Sequence, residues 1–394
     1  MEENFNLDFQ DTKTAFADKT DSELQEKYRL FWLMNSPLLN QIGTTSAQVA
    51  LFLGLPVEWI IKNTIFEQFC GGENIGECQP TIEKLGRSNI GTILDYSVEG
   101  KHSEEDFDRT KDEVIRNLDR AKNDEKIPFA VFKVTGIAPL GTLEKISNNL
   151  ELKESNKIKW EATRKRVEEI CSYAHSIDQP IFIDAEESWI QNAIDQMATE
   201  MMEKYNTEKP IVFNTVQLYR TDRLEFLKQA HEAAKEKGYI LAVKLVRGAY
   251  MEKERERAAE KDYPDPIQSD KKSTDRDFDL AVDYCLENID EIPFVAGTHN
   301  EKSTRLLAEK MHEKGIPNDH PHVFFSQLFG MSDNLSYILA DNNYNVSKYV
   351  PYGPVRDAVP YLIRRARENT SVMGQMSREL DLIAKEMKRR KKAK

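Results

Sequence analysis

The chain has 394 residues, and its 55 Lys and Arg residues stand against 67 Asp and Glu residues, which gives a formal net charge of −12. This acidic balance argues against broad DNA binding, which needs a cationic surface, so we expect no nucleic-acid partner. Hydrophobic residues make up 40% and charged residues 31%, a composition typical of a globular core. The length suits two or three domains, or one large barrel with an added arm.

The sequence also limits its possible relation to membranes and to disulfide bonds. No uninterrupted apolar run reaches the roughly 18 residues of a membrane-spanning helix. The N-terminal sequence MEENFNLDFQ is acidic and lacks an apolar centre, unlike a signal peptide. The cysteines form neither a CxxC motif nor a dense disulfide framework, and we expect free thiols in a reducing cytoplasm. They are Cys70, Cys78, Cys171 and Cys285.

The first part of the chain is predicted to be helical. Residues 1–20 are polar, and we expect them to be loosely ordered. From Asp21 to Phe69 the apolar spacing is helical, and Glu58 and Lys62 interrupt its richest stretch. These charges favour an amphipathic or buried arm over a membrane span.

Beyond the arm, short apolar runs alternate with charged helical stretches. Nearly continuous β-branched and aromatic runs are typical of parallel strands that are buried on both faces. Eight such runs are present: TILDYSV from Thr92, FAVFKVTG from Phe129, PIFIDAEE from Pro180, IVFNTVQLY from Ile211, ILAVKLVRG from Ile240, PFVAGTHN from Pro293, VFFSQLFG from Val323 and SKYVPYG from Ser347. The predicted helices are Ser103–Asn123, Ile158–Ser176, Trp189–Tyr205, Asp222–Lys237, Thr274–Asn288, Lys302–Lys314, Leu335–Leu339 and Asp357–Thr370.

Eight alternating strand–helix units predict an α/β fold of the (β/α)8 TIM-like barrel type with an N-terminal helical arm. A doubly wound open sheet is the alternative, but no GxGxxG or GxxxxGK[ST] turn follows any strand. We therefore expect a helical arm at 1–88, a catalytic barrel at 89–374 and a basic tail at 375–394. The tail ends in MKRRKKAK and is interpreted as a solvated terminus, with a weak anchor to anionic lipid as the alternative.

In a (β/α)8 barrel, chemistry takes place at the carboxyl ends of the strands. Nearly every predicted strand carries a polar group there: Glu99, Lys133, Asp184 with Glu186, Gln217 with Tyr219, Lys244 with Arg247, His299 with Asn300, Gln327 and Tyr349. A ring of structural ion pairs would explain any one of them, whereas their convergence favours a ligand site. The cations outnumber the carboxylates there if Glu186 and Glu187 point outward.

Two further motifs support a site for an anionic ligand. Arg364 and Arg365 in the last helix are adjacent and can straddle a small anion, with Glu368 four residues after Arg364 and Tyr361 on a shared face. The string KLVRGAY at 244–250 brings bare backbone next to two cations, which favours contact with a flat or anionic cofactor. The pair His320-x-His322 lies in a proline-flanked loop at the other barrel end, and we expect no metal site.

Taken together, these strings resemble the proline dehydrogenase family, in its mitochondrial-type branch. IFIDAEES, VFNTVQLY, AVKLVRGAY, THN, FSQLFGM and YVPYGPV followed by YLIRRARENT occur in the family's order and spacing, roughly over Thr92–Thr370. The chain is too short to include the aldehyde dehydrogenase or DNA-binding modules of the multifunctional proline-utilisation proteins, so we expect a monofunctional enzyme.

The resemblance implies a barrel that holds FAD without a Rossmann fingerprint. The residues at matching positions for FAD are Ala185, Gln217, Val246, Arg247, Gly248, Ala249, Thr298 and His299. Those matching the substrate-carboxylate group are Lys133, Arg364 and Arg365, with Glu368 as the ion-pair partner of an arginine and Glu99 as an acidic residue near the lysine. Asp184 and Lys244 match active-site positions beside the flavin, and Tyr349 and Tyr361 match aromatic walls around the ring.

The implied reaction is oxidation of L-proline to Δ1-pyrroline-5-carboxylate by hydride transfer from C5 to flavin N5, with a membrane quinone as the electron acceptor. We expect a cytoplasmic protein, peripheral on the inner face of the membrane. A 4-hydroxyproline dehydrogenase, an aldolase-type enzyme with a Schiff-base lysine and a barrel that only binds a small acid are the alternatives. One departure from the family is Lys244, where many bacterial members have arginine, because lysine keeps the charge but loses the planar fork.

Overall fold

The computed structural model describes residues 5–35, 58–97, 103–371 and 375–393. It divides into two compact units, one made of residues 1–99 with 327–394 and the other of residues 100–326. The fold is the predicted (β/α)8 barrel with an N-terminal helical arm. Its parallel strands are β1 (Ile90–Tyr96), β2 (Ala130–Lys133), β3 (Ile181–Asp184), β4 (Val212–Gln217), β5 (Val243–Val246), β6 (Phe294–Gly297), β7 (Val323–Leu328) and β8 (Val346–Tyr352). They follow the order β1-β8-β7-β6-β5-β4-β3-β2. This order runs through the chain without the reversal of a doubly wound sheet, so the alternative is excluded.

The unit of residues 100–326 contains five complete strands and the start of a sixth. Its elements are α6 (Glu104–Ala121), β2 (Ala130–Lys133), a 3-10 turn (Val134–Gly136), α7 (Leu140–Ser147), α8 (Glu154–Ser176), β3 (Ile181–Asp184), α9 (Ser188–Tyr205), β4 (Val212–Gln217), α10 (Arg223–Lys237), β5 (Val243–Val246), α11 (Met251–Lys261), α12 (Lys271–Glu287), β6 (Phe294–Gly297), α13 (Glu301–Glu313) and β7 (Val323–Leu328), which ends beyond the unit.

Inside this unit an aromatic layer lies on the amino-terminal side of a polar layer. The rings of Phe129 and Phe182 stack with centroids 4.6 Å apart, and Phe213 and Phe324 meet Phe129 edge to face. Because alternate residues of a strand face the same side, Asp184 lies on the same side as Phe182, one step closer to the carboxyl end of β3. Apolar packing therefore fills the amino-terminal side of the strands and leaves polar groups at their carboxyl ends.

The unit of residues 1–99 and 327–394 contains the arm and the end of the chain. Its elements are α1 (Thr12–Ala15), α2 (Asp21–Met34), α3 (Glu58–Ile61), a π-helical turn (Lys62–Phe66), α4 (Glu67–Phe69), α5 (Gln79–Gly86), β1 (Ile90–Tyr96), α14 (Asp333–Asp341), β8 (Val346–Tyr352), α15 (Val355–Ser371) and α16 (Gln375–Ala393). Strands β1 and β8 pair in parallel from Ile90↔Val346 to Tyr96↔Tyr352.

A buried ion triad lies at the centre of this unit. The carboxylate of Asp333 accepts from Lys27 Nζ at 2.6 Å and from Lys348 Nζ at 3.0 Å, and all three side chains are buried. Although burial acts to raise the pKa of Asp333, the charges of Lys27 and Lys348 hold it well below its usual range. The triad ties α2 of the arm to β8 and α14.

One expectation about the chain ends is wrong for the residues described. Residues 5–20 are ordered: Phe9 and Phe16 are fully buried, and Thr12 donates to Glu386 Oε2 at 3.0 Å. The basic segment interpreted as a solvated terminus lies in helix α16, where Lys388, Lys391 and Lys392 are exposed, as expected. Its Arg390 side chain donates to the backbone carbonyl oxygen of Phe16 at 2.9 Å and bonds to Glu386 at 2.7 Å. An apolar face on α16 and these pairings hold both ends together. The boundaries at 88 and 374 stay predictions.

Several local expectations are confirmed. Ser103 caps α6 by accepting the backbone N–H of Asp106, and Gly238 ends α10 in the left-handed conformation with φ of 75°. All four cysteines are buried and unpaired. Part of the predicted arm, residues 36–57, lies outside the described residues.

Two helices of the unit of residues 100–326 were not predicted. Helix α7 is short, and α11 is charged along most of its length (MEKERERAAEK), so neither shows a clear apolar stripe. Within the four described ranges of the chain, no helix combines the length and the apolar content needed to cross a membrane.

We predict that Asp333→Asn destabilises the protein strongly, because it removes the carboxylate that two buried ammonium groups contact. The expected loss in the free energy of unfolding is about 3–5 kcal/mol, measured by denaturant titration. Asp341→Asn, an exposed position in the same helix, is the matched control and should change stability by no more than about 0.5 kcal/mol. Equal effects of the two variants would contradict the role of the triad.

Candidate active site

Strands β2, β3 and β5 bring three predicted site residues together. Lys133 and Asp184 end neighbouring strands in register, and their Nζ and Oδ2 atoms lie 3.4 Å apart, which makes them an ion pair. The other oxygen of Asp184 accepts a short hydrogen bond from Lys244. One carboxylate therefore serves two cations. Asp184 and Lys244 are buried, whereas Lys133 keeps 23% of its side chain exposed.

The ammonium group of Lys244 also contacts the aromatic layer. Its Nζ atom lies 4.9 Å from the ring centroid of Phe182, a geometry in which the ring face attracts a cation. This contact and the bond to Asp184 offset the cost of burying the charge. Lys244 is thus held by two contacts, while Lys133 keeps part of its side chain exposed to solvent.

Arg247 follows β5 and is held on three sides. Its Nε atom donates to Asp275 at 2.7 Å, one terminal nitrogen donates to the Thr298 hydroxyl at 2.6 Å and the other donates to the Ser303 hydroxyl at 2.8 Å. Its guanidinium lies 4.3 Å from the ring centroid of Phe278. The structure therefore joins Arg247 and Thr298, both predicted to contact a cofactor.

Asp275, Ser303 and Phe278 are partners that sequence reasoning missed. They belong to helices α12 and α13, and no spacing along the chain connects them with the end of β5. Burial acts to raise the pKa of Asp275, but its bonds to Lys271 and Arg247 hold that pKa below the usual range. Asp275 therefore stays ionised and compensates Arg247, which reduces the expected excess of cations.

Two features at the ends of β4 and β5 fit a bound polar molecule. Gln217 is buried in register with Val246, and its Oε1 atom is buried without a hydrogen-bond partner. Gly248 has φ of +138°, and a Cβ atom there would lie 2.4 Å from the Tyr219 ring, so only glycine fits. An orphaned acceptor beside exposed backbone is suited to a polar ligand that approaches the main chain closely.

The other predicted cofactor residues lie on the same strand ends. Ala185 directly follows β3, Ala249 follows Gly248 and is exposed, and His299 follows Thr298 after β6. Their contacts with a cofactor stay predictions.

The assumption that Glu186 and Glu187 point outward is wrong, because neither side chain reaches solvent. Glu186 is 3% exposed and Glu187 is 6% exposed. The Glu186 carboxylate accepts the backbone N–H of Thr135 at 2.9 Å and also the Thr135 hydroxyl. Burial and the neighbouring Glu187 raise the pKa of Glu186 to about 7, against the lowering effect of the Thr135 hydrogen bonds.

The remaining predicted residues belong to the unit that contains both chain ends. Tyr349 lies in β8, and Tyr361 and Arg364 lie in α15; both tyrosines are buried, and Arg364 is half-buried. Arg365 and Glu368 are residues of the same helix. The clamp that these residues would form with Lys133 stays a prediction, and Glu99 lies outside the described residues.

The comparisons identify the family. The family model for proline dehydrogenase matches residues 78–378. Proline dehydrogenase 1, mitochondrial, from Dictyostelium discoideum is 33% identical over 96% of this chain and 74% of its own length. Its namesake from Homo sapiens is 36% identical over 94% of this chain and 57% of its own length.

A solved structure of proline utilization A from Bdellovibrio bacteriovorus, inactivated by N-propargylglycine, superposes with a TM-score of 0.71 at 20% identity. It covers 92% of this chain, which spans 38% of that longer one. At 20% identity this likeness concerns the fold alone. The family match defines the class as that of an oxidoreductase. The chain belongs to the proline dehydrogenase family, in its mitochondrial-type branch.

We predict that Glu186→Gln stabilises the protein more at pH 8 than at pH 5. A carboxyl group whose pKa rises from 4.5 to about 7 on folding contributes stability below pH 4.5 that is lost as the pH rises through 7. Glutamine does not titrate, so the free energy of unfolding of the variant should rise by about 3 kcal/mol relative to that of the parent as the pH increases from 4.5 to 7. Denaturant unfolding at the two pH values measures this gain.

Glu208→Gln is the control for this comparison, because Glu208 is exposed. Its stability difference from the parent should stay constant between the two pH values. A constant difference for Glu186→Gln as well would show that the Glu186 pKa is not raised.

Proposed function

We propose that this chain oxidises L-proline to Δ1-pyrroline-5-carboxylate with FAD as its cofactor and passes the electrons to a membrane quinone. The observation that carries the proposal is the shared carboxylate of Asp184 between Lys133 and Lys244, with Arg247 fixed after the end of β5, in a chain of the proline dehydrogenase family. This arrangement offers an accessible cation for a substrate carboxylate beside a cationic cradle for a cofactor.

The residues at the ends of β4, β5 and β6 fit FAD. The orphaned Gln217 acceptor can receive an N–H of the flavin ring, the exposed backbone at Gly248 permits close approach, and Arg247 supplies positive charge. The proposed FAD contacts are Ala185, Gln217, Val246, Arg247, Gly248, Ala249, Thr298 and His299. Bound FAD supplies the hydride acceptor, its N5 atom, for the hydrogen that leaves C5 of proline.

The substrate carboxylate is assigned to Lys133, Arg364 and Arg365. Holding this end orients the proline ring and lowers the entropy cost of reaching the reactive geometry. Tyr349 and Tyr361 form aromatic walls around the ring, and Glu368 holds Arg364 by an ion pair at helical spacing. Asp184 supplies the negative charge that both lysines contact.

The substrate amine must be neutral before hydride leaves the adjacent carbon. Activity should therefore rise with pH as the amine loses its proton. A strong base acting on carbon is not required, which suits a site whose lysines are already engaged with Asp184.

The Schiff-base alternative is disfavoured by the ion pairs. An amine attacks a carbonyl only when it is unprotonated, and both lysines contact the Asp184 carboxylate. Borohydride should trap no adduct with substrate. A barrel that only binds a small acid would lack the visible absorption of a flavin in the purified protein.

The electron acceptor and the cellular location are inferred from weaker features. We infer a cytoplasmic protein that contacts the inner face of the membrane peripherally. Support comes from Trp59, whose side chain is 74% exposed, and from the exposed basic residues Lys388, Lys391 and Lys392 near the end of α16. An apolar anchor together with cations is suited to an anionic membrane surface.

We predict that L-proline bleaches the bound flavin when the two are mixed without oxygen in a stopped-flow experiment. We also predict that Arg365→Met raises KM for proline about 30- to 100-fold while flavin stays bound. The loss of a charge-assisted hydrogen bond, about 2–3 kcal/mol, sets this range. Arg356→Met, at an exposed position of the same helix, should leave KM unchanged. A variant at Arg365 with unaltered proline affinity would overturn the clamp. Protein that stays colourless after refolding with FAD would overturn the redox function.

We also predict a preference for proline over trans-4-hydroxyproline. The Tyr361 ring is expected to crowd C4 of the substrate, so kcat/KM for hydroxyproline should be at least about tenfold lower. Tyr361→Ser should narrow this difference, whereas Tyr344→Ser, at a buried tyrosine outside the predicted site, should not. Comparable kcat/KM values for the two substrates in the parent enzyme would favour the hydroxyproline alternative.

A further inference from the structure

The contact between β2 and β3 continues beyond the ends of both strands. Lys133 and Asp184 are the last pair in register. Two residues after this pair in each segment, the Glu186 carboxylate accepts two hydrogen bonds from Thr135. One oxygen accepts the Thr135 backbone N–H at 2.9 Å, and the other accepts its hydroxyl. Thr135 is the middle residue of the 3-10 turn that begins directly after Lys133.

Glu186 is itself fixed by a chain of buried hydrogen bonds. Its backbone N–H donates to Gln191 Oε1 at 2.8 Å, and the Gln191 amide donates to Asp195 Oδ1 at 2.9 Å. Arg223 of helix α10 donates to the second oxygen of Asp195 at 2.6 Å. All of these side chains are buried. Consecutive buried hydrogen bonds of this kind restrict the positions of their members, so Glu186 offers a firm support for the turn.

We propose that Glu186 is a positioning residue for the substrate: by holding Thr135 it fixes the turn from which the Lys133 side chain reaches the proline carboxylate. This inference rests on the proposed function of Lys133. It assigns to Glu186 no contact with substrate or cofactor.

The need for such a support follows from the chemistry of lysine. Four rotatable bonds separate the Lys133 ammonium from its backbone, and the 3.4 Å contact with Asp184 restrains the ammonium end of the side chain. Fixing the backbone end removes conformers that point away from the substrate. A displacement of about 1 Å at a binding group is sufficient to cost one to two orders of magnitude in rate or binding.

The contact between Thr135 and Glu186 can be removed or conserved by a substitution at either residue. Thr135→Val keeps the shape of the side chain but removes the hydroxyl, and Glu186→Met removes both acceptors. Thr135→Ser keeps the hydroxyl. Glu186→Gln keeps an acceptor for the N–H and offers an amide N–H to the hydroxyl, so it conserves both contacts without the charge.

Steady-state kinetics on the full-length, FAD-loaded protein test the proposal. Thr135→Val and Glu186→Met should raise KM for L-proline about tenfold, with kcat within about threefold of the parent and flavin content unchanged. Thr135→Ser and Glu186→Gln should restore KM to near the parental value. Because Thr135 lies on a half-exposed turn, Thr135→Val carries the test even where Glu186→Met does not fold.

A second measurement separates positioning from general disruption. In a Lys133→Met background, Thr135→Val should leave kcat/KM unchanged, because both substitutions act on the same group. An equal tenfold effect in both backgrounds would overturn the proposal, as would an unchanged KM in folded Thr135→Val. In either case the parent still reduces its flavin with proline. A parent that fails to do so overturns the proposed function, and this inference with it.

Discussion

The charge distribution at the strand ends depends on one buried carboxylate, that of Asp184. Removing a carboxylate from water is costly unless opposite charges compensate it, and here two lysines do so. The two contacts are unequal. Lys244 is buried and lies over an aromatic ring, whereas the Lys133 Nζ atom lies 3.4 Å from Asp184 Oδ2 and its side chain is partly exposed. The buried Lys244 therefore compensates the charge of Asp184 away from solvent, and Lys133 is the cation of the pair that a ligand from solvent can approach.

The groups that orient these charges come from outside the strands. Arg247 is fixed by Asp275 and Ser303 on the surrounding helices, and the turn after Lys133 is fixed by Glu186. Arg247 and Lys133 are thus each oriented by groups that belong to the surrounding structure and are held in position by it. Such supporting contacts determine whether a site is held to the tolerance that binding and hydride transfer require.

The strands and their polar ends could be predicted because each apolar run in a buried parallel strand stops where the chain meets solvent or a ligand. Lys133 and Asp184 follow from this rule, and Lys244 stands out as a charge inside the apolar run of β5. The support behind them does not. Glu186 was assumed to point outward, but β3 ends at Asp184, so nothing in strand geometry fixes its direction. Asp275 reaches Arg247 only through packing of a helix far along the chain. In α16 the basic run obscured an apolar face that is visible only with its partner present.

Lys244 illustrates how a single departure from the family pattern fits its surroundings. An arginine at this position would present a planar fork that matches both oxygens of a carboxylate. Lysine is a point charge, and here it bonds to Oδ1 of Asp184 while Oδ2 remains with Lys133. Because the ammonium also lies over Phe182, its position does not require a second carboxylate contact. The lysine therefore leaves half of Asp184 to hold Lys133 near the substrate, a division that a bidentate arginine would oppose.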